Sequence, residues 1–124
     1  MSRRIKEICG IQGFLDIIDK VCQDKPVIFF SATIKETGEP WCPDCRDADP
    51  VVESVVGELN DAVQFIRVRV ERPYWKEVSG NKLKSDYGVK CLPTLMRWGQ
   101  SERLGEEECK NSATVSLFLK KQGV

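Results

Sequence analysis

The sequence contains no histidine, no excess of either charge and no long apolar run, and these absences exclude several classes of protein. Its 19 basic and 19 acidic residues cancel. Neither that balance nor any local cluster of Lys and Arg favours nucleic acid or an anionic membrane as a partner. No stretch approaches the about 20 apolar residues that span a bilayer, and residues 1–10 lack the apolar core of a secretory signal. We therefore expect a cytoplasmic protein.

The chain is also short and has no low-complexity segment. Its 124 residues are 41% hydrophobic and include three Trp and five Phe, which is enough to fill the core of one globular domain. Two domains would leave neither with an adequate core. We expect a single domain over residues 1–124, and a monomer.

Only two of the cysteines lie close together in the sequence. Cys42 and Cys45 are separated by two residues in the stretch "PWCPDC", whereas the other four are scattered singly: Cys9, Cys22, Cys91 and Cys109. Thiol buffers keep structural disulfides rare in the cytosol, so the six do not indicate a disulfide framework. A zinc site needs a second close pair or histidines, and the chain has neither. The pair is best interpreted as a redox couple; a static disulfide, half of a zinc site and inert core thiols are the alternatives.

Apolar periodicity predicts strands that alternate with helices. The predicted strands are residues 4–9, 27–30, 63–70, 92–98 and 102–104; the predicted helices are residues 11–22, 43–59 with Pro50 inside, 83–87 and a final helix around residues 115–119. A long polar loop, residues 31–40, precedes the cysteine pair. The order β-α-β-α-β-α-β-β-α indicates an α/β sandwich around a mixed central sheet.

The start of the second helix should set the chemistry of the cysteine pair. If Pro43 is the first helical residue, Cys42 is the N-cap, and its sulfur can accept hydrogen bonds from the free N–H groups of Asp44 and Cys45. Those donors and the helix dipole favour a thiolate over a thiol. Cys45, one turn inside the helix, should be more buried and less acidic. Cys42 is therefore the predicted nucleophile and Cys45 the resolving thiol, while the Asp44 carboxylate opposes ionisation of the pair.

Several separate stretches together resemble one known fold. The motif "WCPDC" at residues 41–45, Pro50 and the later Leu92-Pro93-Thr94 resemble the thioredoxin fold, in which the equivalent proline is cis. The polar loop before the motif and "ERPYWK" at residues 71–76 extend the likeness to the Clot-like, thioredoxin-related family over nearly the whole chain. The resemblance implies an α/β fold with a mixed central sheet flanked by helices on both faces.

That resemblance also implies a function. It predicts a cytosolic thiol-disulfide oxidoreductase with no bound cofactor or metal, which takes electrons from NADPH through thioredoxin reductase. Its substrates would be small disulfides such as cystine, together with selected protein disulfides or nitrosothiols. Members of the family act poorly on the usual thioredoxin clients, and the loop at residues 34–39 offers a reason, since it reshapes the surface that a large substrate meets.

The same resemblance assigns roles to residues outside the pair. A cis bond at Leu92–Pro93 would hold the Leu92 backbone beside Cys42, where an extended substrate can pair with it. The strand at residues 27–30 lacks the Asp that ordinary thioredoxins bury behind the resolving cysteine. Proton transfer to and from Cys45 must therefore use Asp44, water or another route.

Some assignments stay open at the level of sequence. Trp41 is expected to be an exposed contact for substrate, whereas Trp75 could equally contact substrate or pack in the core. Cys91 could be an auxiliary redox thiol, but a small buried thiol is commoner. The alternative function is a thioredoxin-fold binding module with a redox-sensitive surface. The candidate site comprises Cys42 and Cys45 as catalytic residues, Trp41, Pro43 and Asp44 as modulators, and Trp41, Leu92 and Pro93 as substrate contacts.

Overall fold

The computed structural model describes residues 5–21, 23, 25–58, 64–76 and 82–121. The strands are β1 Ile5–Cys9, β2 Val27–Ala32, β3 Phe65–Val70, β4 Thr94–Arg97 and β5 Arg103–Leu104. The helices are α1 Ile11–Val21, α2 Pro43–Val56, α3 Arg72–Lys76, α4 Lys82–Asp86 and α5 Ser112–Lys121, with a 3-10 helix at Glu108–Lys110.

The strands form a mixed sheet in the order β1-β3-β2-β4-β5. The first three strands in that order run parallel, while β4 is antiparallel to β2 and β5 is antiparallel to β4. All six residues of β2 are buried, as expected for a central strand that is covered on both faces.

The two faces of the sheet carry separate apolar cores. On one face, Phe30 of β2 meets Phe14 of α1 edge to face, with ring centroids 5.4 Å apart. On the other face, Phe29 belongs to a cluster with Val52 of α2 and Phe118 of α5. Full burial of each such side chain contributes about 1.5–3 kcal/mol. The fold is therefore the predicted α/β thioredoxin fold, with helices on both faces of a mixed sheet.

The polar loop after β2 folds back on itself and brings the chain to the end of the sheet. The Lys35 N–H donates to the Glu39 carbonyl at 2.7 Å, which closes the loop into a narrow turn. At its base, the Thr33 N–H donates to the Val70 carbonyl at 3.1 Å, and the Trp41 N–H donates to the Thr33 carbonyl at 3.2 Å. Helix α2 therefore begins at the edge where the parallel strands β2 and β3 end.

Two elements differ from the prediction for identifiable reasons. Strand β2 extends beyond residue 30 to Ser31 and Ala32, because both are fully buried and pair with Arg69 and Val70 of β3. Helix α3 was not predicted, since none of its residues is buried and it carries no apolar stripe. Its Pro73 occupies the first turn, where a missing N–H breaks no helical hydrogen bond.

The remaining boundaries shift by small amounts. The fourth strand begins at Thr94, two residues later than predicted, and the fifth contains only Arg103–Leu104. Pro50 lies inside a helix that continues to Val56. Residues 4, 22, 59 and 63, which were assigned to predicted elements, lie outside the described residues.

Candidate functional site

Cys42 is the N-cap of α2 and Pro43 is the first helical residue, as predicted. Cys42 has extended backbone angles, φ −95° and ψ 122°, and its carbonyl accepts hydrogen bonds from the N–H groups of Cys45 and Arg46 at 3.1 and 3.2 Å. Its side chain makes no capping hydrogen bond. The expectation that the sulfur accepts the Asp44 and Cys45 N–H groups is therefore wrong, because the backbone carbonyl of Cys42 takes the Cys45 donor.

The Cys42 sulfur instead faces the loop before β4. Its thiol donates to the Leu92 carbonyl at 3.6 Å. The Leu92–Pro93 peptide bond is cis, as predicted, and both residues are buried. The Leu92 backbone consequently lies beside the sulfur, fifty positions away along the chain.

Cys45 differs from Cys42 in burial, and that burial makes the Cys45 thiol hard to ionise. Its side chain is fully buried, whereas Cys42 is partly exposed. Burial raises the pKa of the Cys45 thiol far above its usual range, and the neighbouring Cys42 sulfur raises it further through charge and a hydrogen bond. Hydrogen bonds from the Ser31 hydroxyl and the Ala32 backbone act in the opposite direction. The predicted greater burial of Cys45 is confirmed, and the shift of its own pKa has the predicted direction.

The Asp44 carboxylate has a partner that the sequence did not indicate. Lys110, from the 3-10 helix, donates from Nζ to Asp44 Oδ1 at 2.7 Å. The hydrogen bond to Asp44 raises the pKa of Lys110 above its ordinary value, so the lysine stays charged. Asp44 therefore presents an ion pair to the cysteines rather than the lone negative charge that the sequence suggested.

A cavity of about 570 Å³ opens at Cys42. Its lining contains all of the predicted site residues except the buried Cys45 and Pro93, and it adds Trp75, Cys91 and Glu106. Four cationic side chains also line it: Arg72, Lys76, Lys84 and Lys90. The lining of the cavity at the nucleophile therefore combines two tryptophans with four cationic and two acidic side chains.

The two tryptophans at this cavity, Trp41 and Trp75, are both partly buried. Trp41 is half-buried, packs against the core beside α1, and donates from Nε1 to the Val70 carbonyl at 2.9 Å. It is thus a structural residue that also lines the cavity, and the expected exposed position is wrong. Trp75 likewise combines the two roles, with Lys84 Nζ 4.5 Å from its ring centroid.

Cys91 shares the cavity with Cys42 and is partly buried. Its sulfur lies 3.7 Å from both the Pro93 carbonyl and the Thr94 hydroxyl. Cys109 is fully buried, and burial raises the pKa of its thiol to about 12. Cys91 is therefore the third thiol at the candidate site, while Cys109 belongs to the core.

A buried polar cluster lies behind Cys45, and sequence reasoning missed it. Asp49 of α2 accepts the Ser31 hydroxyl at 2.6 Å and pairs with Arg69 of β3 at 2.7 Å. A usable signal existed, since Asp49 follows Cys45 by one helical turn and so lies on the same, core-facing side of α2. Ser31, in contrast, was predicted to lie in the polar loop, and it is instead a buried residue of β2.

The part of the chain that the structure describes contains no cluster of three or more Cys, Asp or Glu side chains able to hold a metal ion. None of its helices is both long enough and apolar enough to cross a membrane.

The sheet order, the N-capping Cys-X-X-Cys and the adjacent cis-proline define a thioredoxin-fold protein. The reduced thioredoxin pre-protein of Schistosoma mansoni has the same fold: the match covers 97% of this chain and 98% of that one, with a TM-score of 0.60 and 17% identity. A family model described as "Thioredoxin domain-containing protein 17-like, thioredoxin domain" matches residues 8–121, and the chain belongs to that family.

Curated relatives agree with this assignment. The chain is 40% identical over 117 residues to thioredoxin domain-containing protein 17 of Epinephelus coioides, a match that covers 91% of this chain and 94% of the relative. It is 32% identical over 95 residues to thioredoxin-like protein Clot of Arabidopsis thaliana, covering 75% and 71%. The chain therefore has the general thiol-disulfide redox function of a thioredoxin-like protein.

Proposed function

We propose that this protein is a disulfide reductase in which Cys42 attacks the substrate and Cys45 releases it. The observation that carries the proposal is the contrast between two adjacent sulfurs. Cys42 borders an open cavity, whereas Cys45 is fully buried against the Cys42 sulfur with a raised pKa. A nucleophile has to meet the substrate, while a resolving thiol has only to reach its neighbour.

The reaction would proceed in two exchanges. The Cys42 thiolate attacks one sulfur of the substrate disulfide, so that a Cys42–substrate disulfide forms and the other half leaves as a thiolate. Cys45 then loses its proton and attacks the Cys42 sulfur, which forms the Cys42–Cys45 disulfide and expels the second half. Two electrons pass from the protein to the substrate. The proposed source of replacement electrons is NADPH through thioredoxin reductase, in the cytosol.

The cavity favours small disulfides that carry carboxylates, such as cystine. Its four cationic side chains can pair with two carboxylate groups, and its volume suits a small molecule. Selected protein disulfides could also bind, with an extended segment beside the exposed side of the Leu92 loop. The closed turn at residues 34–39, all exposed, stands next to the site and would obstruct large partners.

Cystine reduction with NADPH and thioredoxin reductase tests this proposal. Cys42→Ser should abolish turnover, and Cys45→Ser should accumulate a mixed disulfide at Cys42 that mass spectrometry detects. Cys9→Ser is the matched control, because Cys9 is exposed on β1 away from the cavity lining, and it should leave turnover unchanged. Cystamine, which keeps the two amines of cystine but lacks its two carboxylates, should be reduced more slowly than cystine. Unchanged turnover in Cys42→Ser would reject the proposal.

A binding module is the second candidate, and one observation favours it. Ile34, at the turn beside the site, is 47% exposed and is therefore available for contact with a partner protein. The double variant Cys42→Ser/Cys45→Ser separates the two candidates. If it still captures its partner, and the parent protein shows negligible cystine reduction, binding is the main function.

A further inference from the structure

The cluster behind Cys45 is a continuous chain of buried polar groups. Ser31 lies close enough to Cys45 to lower the pKa of its thiol, and its hydroxyl donates to Asp49 Oδ1 at 2.6 Å. Arg69 Nη1 holds the second carboxylate oxygen, Asp49 Oδ2, at 2.7 Å and also donates to the Ala32 carbonyl at 3.1 Å. Ser31 is fully buried, and Asp49 and Arg69 are only 8% and 6% exposed.

Burying such a cluster costs free energy, so its presence in the core needs an explanation. Taking a carboxylate and a guanidinium out of water costs several kcal/mol each, and replacing a buried ion pair with apolar residues often stabilises a protein. Stability alone is therefore a weak explanation for Asp49. Its position one hydroxyl away from the resolving thiol suggests a chemical one.

Cys45 needs a base if it is to act near neutral pH. Its burial raises the pKa of the thiol, so very little thiolate forms without help. Asp44 is poorly placed for this task, because it lines the open cavity and is engaged by Lys110. Ser31 and Asp49 lie on the buried side of the pair, where the proton of Cys45 has to go.

Asp49 belongs to a connected network of charged side chains. Arg69 is shared with Glu7 of β1, whose Oε1 lies 3.2 Å from Arg69 Nε and 2.7 Å from Arg67 Nε. Arg67 also pairs with Glu53 of α2. The connected cluster thus contains two guanidinium groups and three carboxylates, so one added proton neutralises its excess negative charge.

Glu7 gives the positive charge of Arg69 an anionic partner when Asp49 is protonated. Burial tends to raise the pKa of Glu7, but the ion pairs with Arg67 and Arg69 outweigh that effect and lower it below its ordinary value. Glu7 therefore stays ionised at neutral pH and remains the counterion of Arg69.

We propose that Ser31 and Asp49 form the proton route of the resolving cysteine. As the Cys45 sulfur bonds to the Cys42 sulfur, its proton passes to Ser31 Oγ, and the proton of Ser31 passes to Asp49 Oδ1. The substrate half leaves Cys42 as a thiolate with the electron pair of the broken bond. When the Cys42–Cys45 disulfide is reduced again, the same route returns the proton to Cys45. A carboxylate on helix α2 thereby replaces the strand Asp that this sequence lacks.

The inference rests on the proposed function, and a two-step probe tests both. The aromatic disulfide 5,5′-dithiobis(2-nitrobenzoate) releases one coloured thiolate when Cys42 attacks and a second when Cys45 resolves the adduct. In a background with Cys9→Ser, Cys22→Ser and Cys91→Ser, stopped-flow absorbance therefore times the two exchanges separately.

Ser31→Ala removes the hydroxyl but leaves the Asp49–Arg69 ion pair intact. Ser31→Ala and Asp49→Asn, made as separate variants, should each slow the second release about a hundredfold at pH 7, which is the typical contribution of a general base. The first release should change less than about twofold in both variants. The second release should recover as the pH rises, because hydroxide can then deprotonate Cys45 directly. Ser31→Thr keeps a hydroxyl and should stay within about threefold of the parent.

Three results would overturn parts of this account in distinguishable ways. A second release at the parent rate in Ser31→Ala refutes the proton route. Slowing that is equal at every pH also refutes it, because it would indicate a structural role for the cluster. A parent protein that never gives the second release refutes the proposed function itself. Should Asp49→Asn fail to fold, Ser31→Ala and Ser31→Thr decide the question.

Discussion

At the scale of single residues, the environment of Cys42 depends on a contact that no local sequence pattern contains. The sequence places Asp44 beside the sulfurs, and it predicts that the carboxylate opposes thiolate formation. In the structure, Lys110 neutralises this carboxylate from a distant 3-10 helix. The local motif identified the cysteines and the N-cap, but the charge that acts on them is set by tertiary structure.

Removing Lys110 should expose the charge of Asp44 to Cys42. In Lys110→Met we expect alkylation of Cys42 at pH 7 to slow by about two- to fivefold, a modest effect because the pair is partly exposed to solvent. Adding Asp44→Asn should restore most of the parent rate, since the carboxylate that Lys110 had paired beside the sulfurs is then gone. Rates measured with iodoacetamide in the parent, both single variants and the double variant provide the check. Slowing that persists in the double variant would contradict this interpretation.

At the scale of helices and strands, buried apolar patterns were predictable and polar ones were not. The runs around Phe29 and Ile66 indicated central strands because β-formers dominate them, and both strands are present. Ser31 was assigned to a loop and α3 was missed, because a buried hydroxyl and a five-residue helix with no buried residue both lack a clear apolar signature. The Asp49–Arg69 pair joins α2 to β3, and a sequence read one element at a time does not reveal such a pairing.

The stability of the element that carries the cysteines depends on the core beneath it. Phe29 of β2 is fully buried in a cluster with residues of α2 and α5, so Phe29→Ala should lower the free energy of unfolding by about 3–5 kcal/mol. Leu117→Ala on α5 is the matched control; that side chain is 63% exposed, and its loss should cost less than about 0.5 kcal/mol. Urea unfolding followed by far-UV circular dichroism measures both. Equal losses in the two variants would contradict the assigned core.

At the scale of the whole molecule, the fold unites residues that are far apart in sequence. The end of β2, the start of α2 and the Leu92 loop meet at one edge of the sheet, which places the Cys42 sulfur against the Leu92 carbonyl. The resemblance to thioredoxins predicted this meeting and the cis-proline. The resemblance did not predict the cationic lining of the cavity. The balanced overall charge of the chain gives no indication that four cationic side chains line the cavity at Cys42: Arg72, Lys76, Lys84 and Lys90.

The central claim is that Cys42 is the reactive thiol and Cys45 its buried partner. Alkylation by iodoacetamide at pH 7, followed by mass spectrometry of each cysteine, tests it most directly. Cys42 should be modified first, while Cys45 and Cys109, both buried with raised pKa values, should be modified last. Mild oxidation beforehand should protect Cys42 and Cys45 together as one disulfide. Faster modification of Cys9 or Cys91 than of Cys42, or oxidation that leaves Cys42 and Cys45 unlinked, would contradict the account.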